Sequence, residues 1–466
     1  LPTNRRPPSP PGRWPLGNLP EFRRDLLGFF TRTAGEFGDL VAMRLGPRLV
    51  HLASHPDFVE QVLVTENKKF GKSYVFELLR PVLGNGLVNS EGDFWLRQRR
   101  LMQPAFNKSS VNGYAGVITA QCDRIMSDWS DRQSIDLHGE MSRLALGMVG
   151  KALMDMDLTD VKNEVTGPID SAMRDFSHRF ESMFNLPSWV PTRRNLRAKR
   201  NVRKLDAIVH RIIQQRRESG DRGDLLSKLI HARDEVDQSG MTDRQLRDEV
   251  MTLFLAGHET TANALTWTWF LLAQHPAIEN RLLEEVQSAI GDRAPGAADL
   301  PKLPYTEAVI KEAMRLYPPV YAFSRRVLVD AEIGGFHVPA GSAVIMSQWV
   351  IHHDPRWYNE PDKFEPQRWL EGGNGSAPRQ ARPDYAYFPF GAGPRGCIGN
   401  TFAMLETILA VAAIVPRFRF ELVEPETVRP WPSVTLRPAA GVPSIVHRRN
   451  TAVSSPEPAA ARTTHG

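Results

Sequence analysis

Residues 388–399 read FPFGAGPRGCIG and set Cys397, one of only two cysteines in the chain, among four glycines and an arginine. Three roles compete for that sulfur. A free cysteine is most often a small buried hydrophobe. A nucleophile would need a histidine base brought to it by the fold. A metal ligand would need a thiolate, and the surroundings favour one. Glycines permit positive φ and close approach to a bound group, and successive N–H groups in such a loop can converge on one atom. The following NTFAMLETILAVAAIV has helical patterning, which places the sulfur near a helix N-terminus, where the dipole favours negative charge. A closed zinc site is disfavoured, because Cys122 is the other thiol and His352-His353 lacks ligand spacing.

Three further stretches carry groups able to do chemistry. In AGHETT, residues 256–261, the carboxylate of Glu259 stands beside the hydroxyl of Thr260 in an otherwise apolar run. The ordinary arrangement would have Thr260 bonded back to the Ala256 carbonyl and Glu259 reaching solvent. In a dry helix the same pair can relay protons and bend the helix to make room for a small ligand. EAMR places Glu312 and Arg315 on one helix face, a pair worth only about 0.3–0.5 kcal/mol if exposed. WLRQR places Trp95 and Arg99 at i and i+4 on one face. These two read either as a core aromatic with a solvated charge or as partners of a buried carboxylate, which prefers forked arginine donors. The densest basic run, RRNLRAKRNVRK at 193–204, has no interleaved aromatics and reads as a solvated helical face rather than a nucleic-acid patch.

Long helices must position these groups. Apolar periodicity predicts helices over 95–106, 204–218, 244–274, 277–290 and 305–316. The longest has Thr242-Asp243 as its start signal and His275-Pro276 as its stop, and spans about 48 Å. Its second half is apolar on nearly every side, which marks a helix threaded through the core. Strands cluster near the ends: 40–52 predicts a hairpin turning at Gly46-Pro47, and 434–449 predicts a second. The fold class is mainly α with small β-sheets. A proline-rich lead-in over 1–23 is expected to be extended, and 451–466 to be a loose tail. With neither linker nor repeat between them, 24–450 reads as one domain.

With 41% apolar and 24% charged residues, the composition excludes disordered and fibrous classes. Two cysteines make no disulfide framework, which fits a reducing compartment, the cytoplasm by default. A net charge of +5 is too small for this length to imply a polyanionic partner. No apolar run approaches the roughly 18 residues of a membrane span. The chain starts at Leu1, so a removed N-terminal anchor or signal stays open.

One thiolate with open space opposite suits haem iron, and FGAGPRGCIG at 390–399, followed by Ala403 and Glu406, resembles the haem-binding signature of the cytochrome P-450 family. The resemblance spans most of the chain, because AGHETT, Glu312-x-x-Arg315 and FEPQRW with its Arg368 precede that signature in the family's order. It implies the single-domain cytochrome P-450 fold, in a soluble bacterial member. Cys397 would be the proximal iron ligand, with Phe390, Gly391 and Gly399 in the cradle around the sulfur. Trp95, Arg99 and Arg395 would contact the haem propionates, with Arg325 or Arg326 as a fourth. Glu312, Arg315 and Arg368 would form a buried charge network that serves folding around haem. Glu259 would deliver protons and Thr260 would orient bound oxygen. The implied cofactor is haem b (iron protoporphyrin IX), with O₂ as co-substrate. Electrons would come ultimately from NAD(P)H through a separate ferredoxin or flavodoxin and its reductase, since no redox domain fits in the remaining length. The implied reaction inserts one oxygen atom into a C–H or C=C bond of a lipophilic substrate, in a pocket near Ala256, 318–323 and 83–88. Arg395 and FEPQRW resemble fatty-acid-hydroxylase-like and eukaryote-like branches, which points to a fatty acid, terpenoid or steroid. Two rivals remain: a peroxygenase or peroxide isomerase, classes that tend to lack the Glu259-Thr260 pair, and a haem-thiolate binding protein without turnover.

Overall fold

The computed structural model describes residues 5–156, 167, 171, 189–370 and 382–449. The expected tail at 451–466 and residues 1–4 of the lead-in lie outside these. The architecture is organised by the helix Asp243–Gln274, 32 residues long. It starts where the sequence signals it, at a reciprocal cap: Gln245 N–H donates to Thr242 Oγ1 at 3.3 Å and Thr242 N–H donates to Gln245 Oε1 at 2.8 Å. Every residue from Thr261 to Leu272 is buried. Several of its polar groups are satisfied locally or by neighbours. The Thr266 and Thr268 hydroxyls donate to carbonyls one turn back at 2.6 and 2.7 Å, and the Trp267 indole donates to the Leu436 carbonyl at 2.9 Å. Helices Leu137–Met154, Pro304–Leu316 and Asn400–Ile414 pack around it, so its middle is enclosed by protein.

The other helices follow the apolar periodicity, with two adjustments. The first begins earlier, at Gly92, and is α-helical only to Met102; Gln103–Phe106 tightens to a 3₁₀ turn because Pro104 has no N–H for the ladder. The helix expected at 204–218 runs Arg193–Ser219 and absorbs the basic run, capped by Thr192, whose hydroxyl accepts from Asn195 N–H at 3.1 Å.

A five-stranded sheet has the order Leu40–Leu45, Arg48–Ala53, Ala343–Met346, Phe323–Val327, Phe70–Lys72, with only the second and third strands parallel. The hairpin at 40–52 forms, with Gly46 at φ 64° in its turn. The second expected hairpin does not. Leu436–Pro438 pairs with Pro430–Pro432, whereas Pro443–Arg448 pairs with Phe418–Leu422 and Ser134–Asp136, so the two runs belong to different sheets. Pro438 and Pro443 flank the intervening turn without N–H donors, which removes the bonds that would close a hairpin there. The first part of the lead-in is extended but held, with Ala42 N–H donating to the Pro8 carbonyl and His337 N–H to the Arg5 carbonyl, both at 2.8 Å; its last residues, expected to be extended, instead form the short helix Leu19–Arg24, whose first turn tolerates Pro20. Among the described residues, no helix is long and apolar enough to cross a membrane.

Candidate active site

The cysteine loop is closed by its own backbone. Gly391 N–H donates to the Phe388 carbonyl at 2.9 Å, Gly396 N–H to Gly393 at 3.0 Å, and Cys397 N–H to Phe390 at 2.9 Å. Gly393 has φ 65° and a Cβ there would lie 2.0 Å from the Leu63 carbonyl oxygen, so no other residue fits. The Cys397 sulfur, with Phe390 and Gly399 beside it, opens onto an internal cavity of about 470 Å³. Surrounded by protein elsewhere, the thiol has its pKa pushed up by burial, against the opposing pull of the Gly399 N–H and the Arg99 guanidinium. The Gly391 and Gly396 N–H groups are used to close the loop, so a bound metal cation, which deprotonates a coordinating thiol, would be the main stabiliser of a thiolate here.

Four basic side chains line the same cavity: Lys72, Arg99, Arg325 and Arg395. The Arg395 guanidinium lies 4.0 Å over the Trp95 ring and donates to the Ser90 carbonyl at 2.7 Å. Arg99 donates to the Gly396 carbonyl at 2.9 Å. Strand alternation decides between Arg325 and Arg326: the former is 7% exposed and borders the cavity, while the latter points to solvent. Lys72 was not foreseen. It stands in a short unremarked strand and reaches the site because its register partner is Arg325. Burial and the neighbouring guanidiniums hold the Lys72 ammonium well below its usual pKa; burial and Arg395 bring Arg325 to about 10; Glu91 opposes both shifts. Desolvated, mutually repelling cations are costly unless anions face them, so this cluster fits a ligand bearing carboxylates.

The core helix supplies the third wall. Thr260 donates to the Ala256 carbonyl at 2.6 Å, the ordinary local bond, and also borders the cavity. Glu259 departs from the ordinary arrangement, because the Thr435 hydroxyl holds it inward at 2.7 Å and Asn263 in turn donates to Thr435 at 3.0 Å. Thr435 was also missed, since nothing in the sequence pairs residues 176 apart. Neighbouring His258 turns away to Ser142, 3.0 Å distant, and burial lowers its pKa to about 4. Thr261 donates to Glu406 at 2.5 Å, and burial raises that carboxyl to about 8 despite the bond.

The family model of cytochrome P-450 matches residues 7–442. The chain belongs to that family. It is 39% identical over 408 residues to cyclooctatin synthase of Streptomyces melanosporofaciens, covering 86% of each chain. It is 35% identical over 427 residues to pentalenene oxygenase of Streptomyces avermitilis, covering 90% of this chain and 92% of that one. Its fold superposes on retinoic-acid-bound cyanobacterial CYP120A1 with a TM-score of 0.85 at 25% identity, over 96% of this chain and 99% of that one. The protein is thus a cytochrome P-450 in fold and a haem-thiolate monooxygenase in class.

Cytochromes P-450 carry haem, and the cavity fits that group: one thiol opens onto it, and a cluster of desolvated cations fits carboxylates of the ligand. The loop is braced from behind by Glu312, Arg315 and Arg368, which come together fully buried. Glu312 Oε1 accepts from Arg315 Nη2 at 2.9 Å, Arg368 Nε at 2.8 Å and the Glu365 N–H at 3.1 Å; Oε2 accepts from Arg315 Nε at 2.9 Å and the Trp369 indole at 2.8 Å. Burial raises the Glu312 pKa, but the guanidiniums outweigh it and hold the carboxyl below its usual range. Arg315 also donates to the carbonyls of His352, Pro361 and Lys363. The chain entering the cysteine loop is thereby tied to the helix Pro304–Leu316, an attachment extended by Tyr387, whose hydroxyl donates to the Lys311 carbonyl, and by the Phe388 N–H, which donates to His352 Nε2.

Proposed function

We propose that this cytochrome P-450 binds haem b and inserts one atom of O₂ into a C–H or C=C bond of a polycyclic terpenoid. The carrying observation is the lining of the cavity. Besides Thr260 it is lined by Phe76, Leu79, Leu87, Val88, Val320 and Val434, and its four basic side chains are the ones assigned to the haem carboxylates. A fatty acid would need a cation for its own carboxylate, whereas a neutral polycycle needs only apolar area and shape. The names of two relatives, an oxygenase of pentalenene and a synthase of cyclooctatin, support that choice.

Cys397 would hold the iron, and Lys72, Arg99, Arg325 and Arg395 with Trp95 would hold the carboxylate end. Bound haem supplies O₂ activation, and thiolate ligation favours O–O cleavage. The protein's share is positioning and proton supply. Thr260 gives its own proton to Ala256, so its oxygen remains an acceptor at the cavity edge that can orient a proton donor there. Glu259, pulled inward by Thr435, stands one residue away to renew that proton. Electrons would arrive from NAD(P)H through a ferredoxin or flavodoxin and its reductase, in a bacterial cytoplasm.

The test is turnover with ferredoxin, ferredoxin reductase and NADPH under ¹⁸O₂, across polycyclic terpenes, steroids and fatty acids. A terpene product carrying one labelled oxygen is expected. Turnover of fatty acids alone would overturn the substrate assignment. Turnover by hydrogen peroxide that survives Thr260→Ala unchanged would favour the peroxygenase.

A further inference from the structure

Residues 84–88, which contribute Leu87 and Val88 to the apolar wall, lie across the first half of the core helix, held by side chains that the oxidation does not use. Asn85 N–H donates to Asp248 Oδ2 at 2.8 Å, and Leu87 N–H donates to Glu249 Oε2 at 2.9 Å. The contact is close enough to demand glycine at both crossings. A Cβ on Gly84, which has φ 56°, would lie 2.1 Å from Asp248 Oδ1, and one on Gly86 would lie 2.2 Å from Thr252 Oγ1 and 2.6 Å from the Asp248 carbonyl oxygen. Arg247 extends the attachment outward: it donates to Asp248 Oδ1 at 2.9 Å and pairs, through its Nε at 2.8 Å, with Asp206 of the helix Arg193–Ser219. Three consecutive residues of the core helix therefore fasten two separate elements.

Asp248 and Glu249 do not border the cavity themselves, whereas Leu83, Leu87 and Val88 on the fastened loop do. Glu249 is 1% exposed, and among the described residues no cation is paired with it. A buried carboxyl without a counterion is a poor stability device. Its one resolved service is to fix the backbone of Leu87. On the reading of this cavity as the substrate site, we propose that Asp248 and Glu249 are specificity-determining positioning residues, which fix Leu83, Leu87 and Val88 as the far wall against which substrate is oriented.

The experiment uses the full-length, haem-loaded protein with Glu249→Gln, Glu249→Leu and Gly86→Ala. Haem content and the reduced carbon-monoxide spectrum report integrity. Optical titrations compare imidazole, a single small ring, with clotrimazole, a bulky triaryl azole; neither presumes the natural substrate. In Glu249→Leu and Gly86→Ala the ratio of the two dissociation constants is expected to shift by about fivefold or more, the effect of losing one buried hydrogen bond. Glu249→Gln, whose amide oxygen still accepts from Leu87, keeps the wild-type ratio. An unchanged ratio in haem-loaded Glu249→Leu or Gly86→Ala overturns the proposal, and should the former fail to take up haem, the latter decides alone. A shift in Glu249→Gln equal to that in Glu249→Leu also overturns it. If terpenes bind no variant while the azole ratio moves as stated, the terpenoid assignment falls and this one stands.

Discussion

Glu312→Gln keeps the shape of the side chain and removes one charge from the site where two guanidiniums converge. In the wild type five hydrogen bonds end on its two oxygens. The amide offers a single acceptor oxygen, so either the three bonds on Oε1 or the two on Oε2 are lost, and an NH₂ group is turned towards arginine N–H donors. The charge loss weighs more. The Arg315 and Arg368 side chains are both 0% exposed and can neither move to water nor give up a proton; Glu365, 3.3 Å from Arg368, is a weaker counterion than the lost carboxylate. Breaking a buried pair of this kind costs about 3–5 kcal/mol. For 466 residues the unfolding entropy is on the order of 1 kcal/mol/K, so the thermal midpoint should fall by roughly 3–5 °C. Because Arg315 also holds the carbonyls of His352, Pro361 and Lys363, haem content of the purified protein should fall with it. Calorimetry and the ratio of haem to protein absorbance check both. A variant with wild-type midpoint and full haem content would refute the reasoning that this network braces the cysteine loop.

Thr260→Ala should bind haem and substrate normally yet form product at roughly a tenth of the rate, the equivalent of about 1.4 kcal/mol, while NADPH consumption continues and released peroxide accounts for the difference; parallel assays of product, NADPH and peroxide decide it. Lys72→Ala and Arg325→Leu should each speed haem loss to apomyoglobin, with Arg326→Leu as the unaffected control, because only the first two border the cavity. Glu249, which burial first and Asp248 next raise from the usual 4.5 to about 8, stays protonated in the folded chain while the unfolded chain ionises. The unfolded state then binds fewer protons across that window, so this group's contribution to stability is full below about pH 4.5 and is lost as pH rises towards 8. Unfolding free energies of wild type minus Glu249→Gln should therefore decline from pH 5 to pH 8, and a flat difference would contradict the burial argument.

Local signals made much of this molecule legible. Thr242 and His275-Pro276 bounded the core helix because caps and prolines act within one turn, and Gly46-Pro47 announced its hairpin for the same reason. The glycines around Cys397 mark the loop in the sequence, and their N–H groups divide the work: those of Gly391 and Gly396 close the loop while that of Gly399 faces the sulfur. What stayed hidden depends on distant pairing. Lys72 reaches the cation cluster only through its register with Arg325, Thr435 reaches Glu259 from the turn between Pro430–Pro432 and Leu436–Pro438, and Pro443–Arg448 finds its partners at 418–422 and 134–136 rather than next door. No periodicity within a segment encodes such pairings, and the burial that raises the pKa of Glu249 and Glu406 arises only once they exist.

The central claim is that Cys397, as thiolate, is the group that holds haem iron in this cavity. The most direct measurement is the carbon-monoxide difference spectrum of the reduced, haem-loaded protein, taken for the wild type and for Cys397→Ser. The account predicts the red-shifted Soret band of a thiolate-ligated ferrous centre in the wild type and its disappearance in the variant. A wild-type band at the position of a histidine-bound centre, or a thiolate band that survives Cys397→Ser, would contradict it.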